Sequence, residues 1–277
     1  MKKTDDTSLT NSFRPIKRSA GFSLVELLVT LSIIALLFSI MFPSLNRVRG
    51  VAGKLMCANN MRSIYYGLNG YANDFSRSPL PYCYNYKSKL LQETMALTAN
   101  DPDSPYRAQW DGLGLLWRNV SGTQYLDNCK CLFCPSHHGT NGYEKYRSTL
   151  NCQNPRDTTL LDVASHEYLT HPKTIAKIYG NYQYAGGYDP QSKEPISFGA
   201  PNSQNSVLLS DGMRTLDDFN HTIGGNALRG SGEISWFSYS KIIGLRMTGL
   251  PAQEIPTNAQ ESQFSLIWTA IQTEAGR

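Results

Sequence analysis

From Phe22 to Phe42 the chain reads FSLVELLVTLSIIALLFSIMF, and the only charged side chain in it is that of Glu26. At 1.5 Å per residue such a run forms a helix about 30 Å long, the thickness of a bilayer hydrocarbon core. An ordinary secretory signal places small residues and a cleavage site after its apolar run. Here the run is followed by Pro43-Ser44-Leu45-Asn46-Arg47, so the expectation is that the apolar segment stays in the mature protein. Lys17 and Arg18 stand directly before it. The positive-inside bias then keeps residues 1–21 in the cytoplasm and sends everything beyond Pro43 outward.

Glu26 calls for an explanation, because a carboxylate inside a spanning helix costs about 2.5 to 3.5 kcal/mol unless it is paired or lies at the interface. One reading is a charge at headgroup level. The other comes from the string Lys17-Arg18-Ser19-Ala20-Gly21-Phe22-Ser23-Leu24-Val25-Glu26-Leu27, which resembles the processing site of type IV prepilins. Basic residues precede a Gly, Phe follows it, and Glu stands five places after the Gly. The resemblance implies cleavage between Gly21 and Phe22 by a prepilin peptidase and methylation of the Phe22 amine. It further implies that Glu26 pairs with the Phe22 amine of a neighbouring subunit during filament assembly. A buried carboxylate and a buried ammonium each carry a penalty that neither relieves alone, so such a pair fixes the register of one helix against the next.

Pro43 has no amide hydrogen for the helix ladder, so it either ends the span or kinks a helix that continues. In pilins the continuing helix commonly carries a proline at this place, which makes Pro43 a candidate assembly residue with Glu26. Beyond it, Val48, Ala52, Leu55, Ala58, Met61, Tyr65, Leu68 and Ala72 recur at steps of three and four. That period predicts an amphipathic stem helix to about Tyr71, with Gly50 and Gly53 as its weak points.

Past Asn73 short apolar runs alternate with turn residues, as in Ser78-Pro79-Leu80-Pro81 and Asp101-Pro102-Asp103-Ser104-Pro105. Residues 206–210 and 233–239 have strand patterning, and Gly224-Gly225 reads as a turn signal. The expected fold class is α+β: a long N-terminal helix, first transmembrane and then amphipathic, packed on a loop-rich antiparallel β head in a pilin-like arrangement. The expected division is a cytoplasmic leader over 1–21, a transmembrane half-helix over 22–43, a stem over 44–72 and a head over 73–277.

Several head segments resemble pilin-like proteins that carry a processing-associated H-x9-DG motif. The carriers are Cys57-Ala58-Asn59-Asn60-Met61-Arg62, Leu132-Phe133-Cys134-Pro135-Ser136 and the Tyr-rich Asn181-Tyr182-Gln183-Tyr184. The motif itself is degenerate: His221 is followed by nine residues and then by Ser231-Gly232. A serine can accept a hydrogen bond from a histidine but is a poor cation ligand, so His221, Ser231 and Gly232 are read as fastening a turn.

Six cysteines, Cys57, Cys83, Cys129, Cys131, Cys134 and Cys152, all lie beyond the apolar span. With the head exported to an oxidising compartment, disulfides are the expectation, and six thiols allow fifteen pairings. Cys131 and Cys134 are near enough in sequence to pair, but so tight a ring strains the bond, so at least one of them is expected to take Cys57, Cys83 or Cys152. Cys57, beside the apolar stripe, is placed to tie stem to head. Cys129, Cys131, Cys134 and His137 have the residue types of a zinc site without the usual spacing.

Of 26 basic and 22 acidic residues, five and two lie before Phe22, leaving 21 against 20 in the rest of the chain. So even a balance offers no basic surface for nucleic acid. Asp211, His166, His171 and His221 supply catalytic residue types, but no nucleophile elbow or phosphate-binding loop accompanies them, and neither an enzyme nor a cofactor is expected. The reading is a structural subunit, a pilin or minor pseudopilin of a type IV pilus or type II secretion-like filament. Its partners would be the prepilin peptidase, other pilin-like subunits, the assembly platform and the membrane. It would sit in the inner membrane as a single-pass protein with its head in the periplasm, and in an extracytoplasmic filament after assembly. The alternative is a membrane-tethered head that binds a ligand, such as a glycan, through its Tyr and Trp side chains.

Overall fold

The computed structural model describes residues 21–75, 80–81, 95, 97, 110–117, 123–150, 178–185, 187, 198, 201–212, 220–240 and 271–275. The chain divides into two compact units after Val48. Residues 1–20, where a leader is expected, together with Cys83, Cys152, His166 and His171, lie outside the described residues.

Helix α1 runs from Leu24 to Asp74. It begins with a capping box, Ser23-Leu24-Val25-Glu26, in which the Ser23 hydroxyl accepts from the Val25 amide at 3.3 Å and Glu26 Oε2 accepts from the Ser23 amide at 2.9 Å. In the first unit every side chain from Phe22 to Val48 is exposed. Polar groups there are satisfied within the helix: Thr30, Ser32 and Ser39 donate their hydroxyls to the carbonyls of Leu27, Leu28 and Leu36. The result is a helix long and apolar enough to cross a membrane. It continues through Pro43. The carbonyl of Ser39 thereby loses its usual amide partner, and the helix tolerates it.

In the second unit the remainder of α1 buries Gly53, Cys57, Met61, Ile64, Gly67, Leu68 and Ala72. This corrects the expected stripe, since Val48 and Leu55 are 63 % and 66 % exposed while Gly53, Ile64 and Gly67 face the head. The head selects the face where small residues allow close approach. A methyl group on Gly67 would lie 2.9 Å from Leu126 and 3.1 Å from the Tyr125 carbonyl, and one on Gly53 would overlap the Ser136 hydroxyl. Gly53 is a weak point by helix propensity, but packing uses it, with Gly67, as a contact point.

Four strands form an antiparallel sheet in chain order: β1 Tyr182–Tyr184, β2 Val207–Asp211, β3 Gly224–Arg229 and β4 Ile234–Ser238. With α1 this is the α+β, pilin-like arrangement expected from sequence. The two predicted strands appear as β2 and β4. Gly224 and Gly225 open strand β3 and do not form a turn. Their missing side chains admit neighbours: a Cβ at 224 would meet the Phe237 carbonyl and the Trp236 ring, and one at 225 the Phe237 and Tyr239 side chains at 3.0 Å. The β3–β4 connection turns at Gly232, whose φ of 86° favours glycine. Short helices α2 Gly114–Trp117, α3 Tyr143–Leu150 and α4 Pro201–Asn205, with a 3-10 turn over Cys129–Leu132, surround the sheet. Met61, Ile64 and Leu68 of the stem join Trp117, Leu132, Tyr182, Tyr184, Leu209 and Leu228 in one core. Burial of each such side chain contributes roughly 1.5 to 3 kcal/mol.

Candidate functional site

Two places concentrate unusual chemistry. The first is the start of α1, where Gly21 has nothing within 4 Å of a Cβ position and Phe22 is 80 % exposed. Glu26 sits in the first turn with its carboxylate turned back onto the Ser23 amide. This capping role is legible in the S-x-x-E spacing and was missed because the reading of Glu26 began from its charge.

The second place is a buried cluster inside the second unit, built by four separate segments. Cys57 comes from α1, and Cys134 lies just past the 3-10 turn. The two are disulfide-bonded across 77 residues, with Cα atoms 5.4 Å apart. Asp211 ends β2, and His221 lies between β2 and β3. All four are buried. His221 Nε2 is 3.4 Å from Asp211 Oδ2 and 3.9 Å from Cys134 Sγ, and its ring meets Trp236 edge-on at 5.4 Å.

Asp211 is held by amides. Asn226 donates its backbone N–H at 2.7 Å and its side-chain amide at 3.0 Å to Oδ2, while the Asn220 amide reaches Oδ1 at 3.1 Å. Among the described residues, His221 is the one basic side chain within ion-pair distance of it. Burial, reinforced by the negative charge of Asp211, raises the phenols of Tyr182 and Tyr239 well above the ordinary tyrosine value. The cluster is fastened to its surroundings by Asn181, which accepts from the Cys134 amide at 3.2 Å, and by Asn226, whose amide reaches the Lys54 carbonyl of the stem at 3.4 Å. Lys54 in turn lies 3.7 Å over the Trp236 ring.

The degenerate motif therefore works differently from the sequence reading. His221 meets Asp211, ten positions before it, and Ser231 instead serves the turn, its hydroxyl accepting from the Glu233 amide at 3.4 Å. In the sequence Asp211 stands out only as a catalytic residue type, with nothing local to pair it with His221. The proposed zinc quartet is not assembled as thiolates. Cys134 is bonded to Cys57, Cys129 is itself in a disulfide, and His137 Nδ1 is 3.1 Å from Asn220 Oδ1. Cys131, grouped with the candidate disulfide cysteines, carries a free thiol that burial pushes up to about 12.

A polar groove of about 380 Å3 lies elsewhere on the second unit, lined by Tyr65, Asn69, Asn73, Phe198, Gln204 and Ser231 among others.

Residues 16–42 match the prokaryotic N-terminal methylation motif. The chain is also similar to the competence protein ComGC of Halalkalibacterium halodurans, 32 % identical over 66 residues, which are 24 % of this chain and 65 % of that protein. The match thus spans a little under two thirds of that relative's length. No solved structure matches the chain. Residues 16–42 are thus of the prepilin type.

Proposed function

We propose, from the premise that residues 16–42 are of the prepilin type, that this chain is a structural subunit of a type IV pilus or type II secretion-like filament, as a pilin or minor pseudopilin. The observation that carries this is the prepilin-type motif at 16–42, whose helical part from Leu24 to Phe42 leaves every apolar side chain exposed within the chain. So much exposed apolar surface needs lipid before assembly and neighbouring helices after it. The similar ComGC protein adds a competence pilus to the machines this subunit could serve.

In this reading prepilin peptidase cuts after Gly21, on the cytoplasmic side of the inner membrane, and the Phe22 amine is methylated. The head resides in the periplasm, the apolar half of the helix enters the filament core, and Pro43 adjusts the helix for packing. Glu26 releases the Ser23 amide and pairs with the Phe22 amine of the next subunit. The role is structural, without catalysis.

Two substitutions separate pairing from capping. Glu26→Gln keeps an oxygen that can accept from the Ser23 amide but has no charge, whereas Glu26→Leu loses both. The measurement is the fraction of processed protein in sheared filaments or crosslinked to other pilin-like subunits, with the N-terminal residue read by mass spectrometry. Both variants should be cut after Gly21 and fail to incorporate, since an unpaired buried amine costs about 3 to 5 kcal/mol. Wild-type incorporation of Glu26→Gln refutes the pairing role.

A second reading, a tethered head that binds a glycan or similar ligand, is supported by the groove beside Tyr65 and Phe198, whose rings lie 5.6 Å apart. It requires no carboxylate at position 26, so unimpaired function of both variants would favour it.

A further inference from the structure

We infer that, when the Cys57–Cys134 bond is reduced, the stem–head cluster becomes a zinc site with Cys57, Cys134, Asp211 and His221 as its four ligands. This goes beyond the filament role and does not depend on it. One ligand atom from each residue lies within 4.8 Å of the other three. Around a tetrahedral Zn2+ with bonds of about 2.0 to 2.3 Å, donor atoms stand about 3.3 to 3.8 Å apart. Two edges of such a tetrahedron already exist, His221 Nε2 to Asp211 Oδ2 at 3.4 Å and His221 Nε2 to Cys134 Sγ at 3.9 Å. Two thiolates, an imidazole and a carboxylate are a donor set that suits zinc.

The surroundings fit the same conclusion. Asp211 is fully buried; Asn226 donates twice to Oδ2 and Asn220 once to Oδ1, so a lone pair on Oδ1 is left for a cation, and ligation through Oδ2 would displace one of the Asn226 bonds. Those amides and the Trp236 ring against His221 are the kind of outer contacts that orient metal ligands. Four segments distant in sequence supply the donors, so the ion would join stem to head at the place where the disulfide does.

The chemistry balances with a dithiol reductant. The dithiol gives two electrons and two protons to the Cys57–Cys134 bond, becoming a disulfide itself and leaving two thiols. Zinc then binds as the two thiols release two protons. In the reverse step a disulfide oxidant takes two electrons from the two thiolates and two protons from solvent, becoming a dithiol, and the re-formed Cys57–Cys134 bond releases Zn2+, so the cluster holds either a covalent or a metal crosslink and never both.

The test uses the full chain in detergent, with Co2+ as a spectroscopic probe and a phosphine reductant that does not compete for metal. The reduced protein should take up one Co2+ with thiolate-to-cobalt charge-transfer absorption, displaced by Zn2+, and the oxidised protein should not show that absorption. Asp211→Asn and His221→Gln should each weaken the reduced protein's affinity by roughly tenfold or more. Cys131→Ser should leave it unchanged, since Cys131 belongs to the alternative quartet and carries a free thiol outside this cluster. Peptide mapping of the Cys57–Cys134 bond in the oxidised variants checks that each has folded. Absence of binding by the reduced wild type overturns the proposal. So does binding that persists in correctly folded Asp211→Asn and His221→Gln, or that is lost in Cys131→Ser.

Discussion

Cys57 of the stem helix is covalently bonded to Cys134 of the head, closing a loop of 77 residues at the buried end of the Asp211–His221 pair. The bond sits where stem periodicity and head turns meet, so its removal should be felt by the whole second unit. In Cys57→Ala/Cys134→Ala, loop-closure entropy alone predicts a loss of about 4 kcal/mol. Urea unfolding of the detergent-solubilised chain without reductant measures it. An unchanged midpoint would mean the bond does not constrain the unfolded chain.

Gly67 and Gly50 lie on one helix and should respond oppositely to alanine. At Gly50 a methyl group meets nothing within 4 Å, so Gly50→Ala should stabilise by up to about 1 kcal/mol through helix propensity. At Gly67 it meets Leu126 and the Tyr125 carbonyl, and overpacking of about 1 to 3 kcal/mol should exceed that gain. Thermal melts of the two variants decide it, and a stabilised Gly67→Ala would show that the contact relaxes cheaply.

Asp211→Ala should be among the most damaging single substitutions in the head. It leaves the Asn226 amide groups and the Asn220 amide without their acceptor, at about 1 to 3 kcal/mol per unsatisfied group. The expected readout is a loss of urea stability beyond about 3 kcal/mol, or failure to accumulate. A loss under about 1 kcal/mol would require water to replace the carboxylate.

Cys131 should be unreactive in the native chain. Its thiol is raised to about 12, chiefly by burial, so at pH 8 the nucleophilic thiolate is scarce. Iodoacetamide should label Cys131 only after denaturation, as followed by peptide mass spectrometry. Because the folded state favours the protonated thiol, this contribution is intact below about pH 9 and is lost as pH rises towards 12. Rapid native labelling at pH 8 would contradict the burial.

The sequence by itself determined the N-terminal segment and the fold class. An unbroken apolar run with one carboxylate, basic residues in front and Gly21-Phe22 between them leaves few physical solutions, because the signal is local and its period is that of one helix. Strands β2 and β4 were legible for the same reason, as Val207-Leu208-Leu209 and the alternation around Trp236 are local patterns. Tertiary structure decided the rest. Which face of the stem is buried depended on where the head comes close enough to exploit Gly53 and Gly67, and no periodicity encodes that. Gly224 and Gly225 became strand because Trp236, Phe237 and Tyr239 fill the space their side chains leave. The partners of Cys57 and His221 were likewise unreadable. Cys134 lies 77 residues from the first, and Asp211 meets the second only because the antiparallel pairing of β2 and β3 brings the end of β2 beside the residues that lead into β3. Such contacts between segments distant along the chain are fixed by packing, since the local sequence around each partner is compatible with many others.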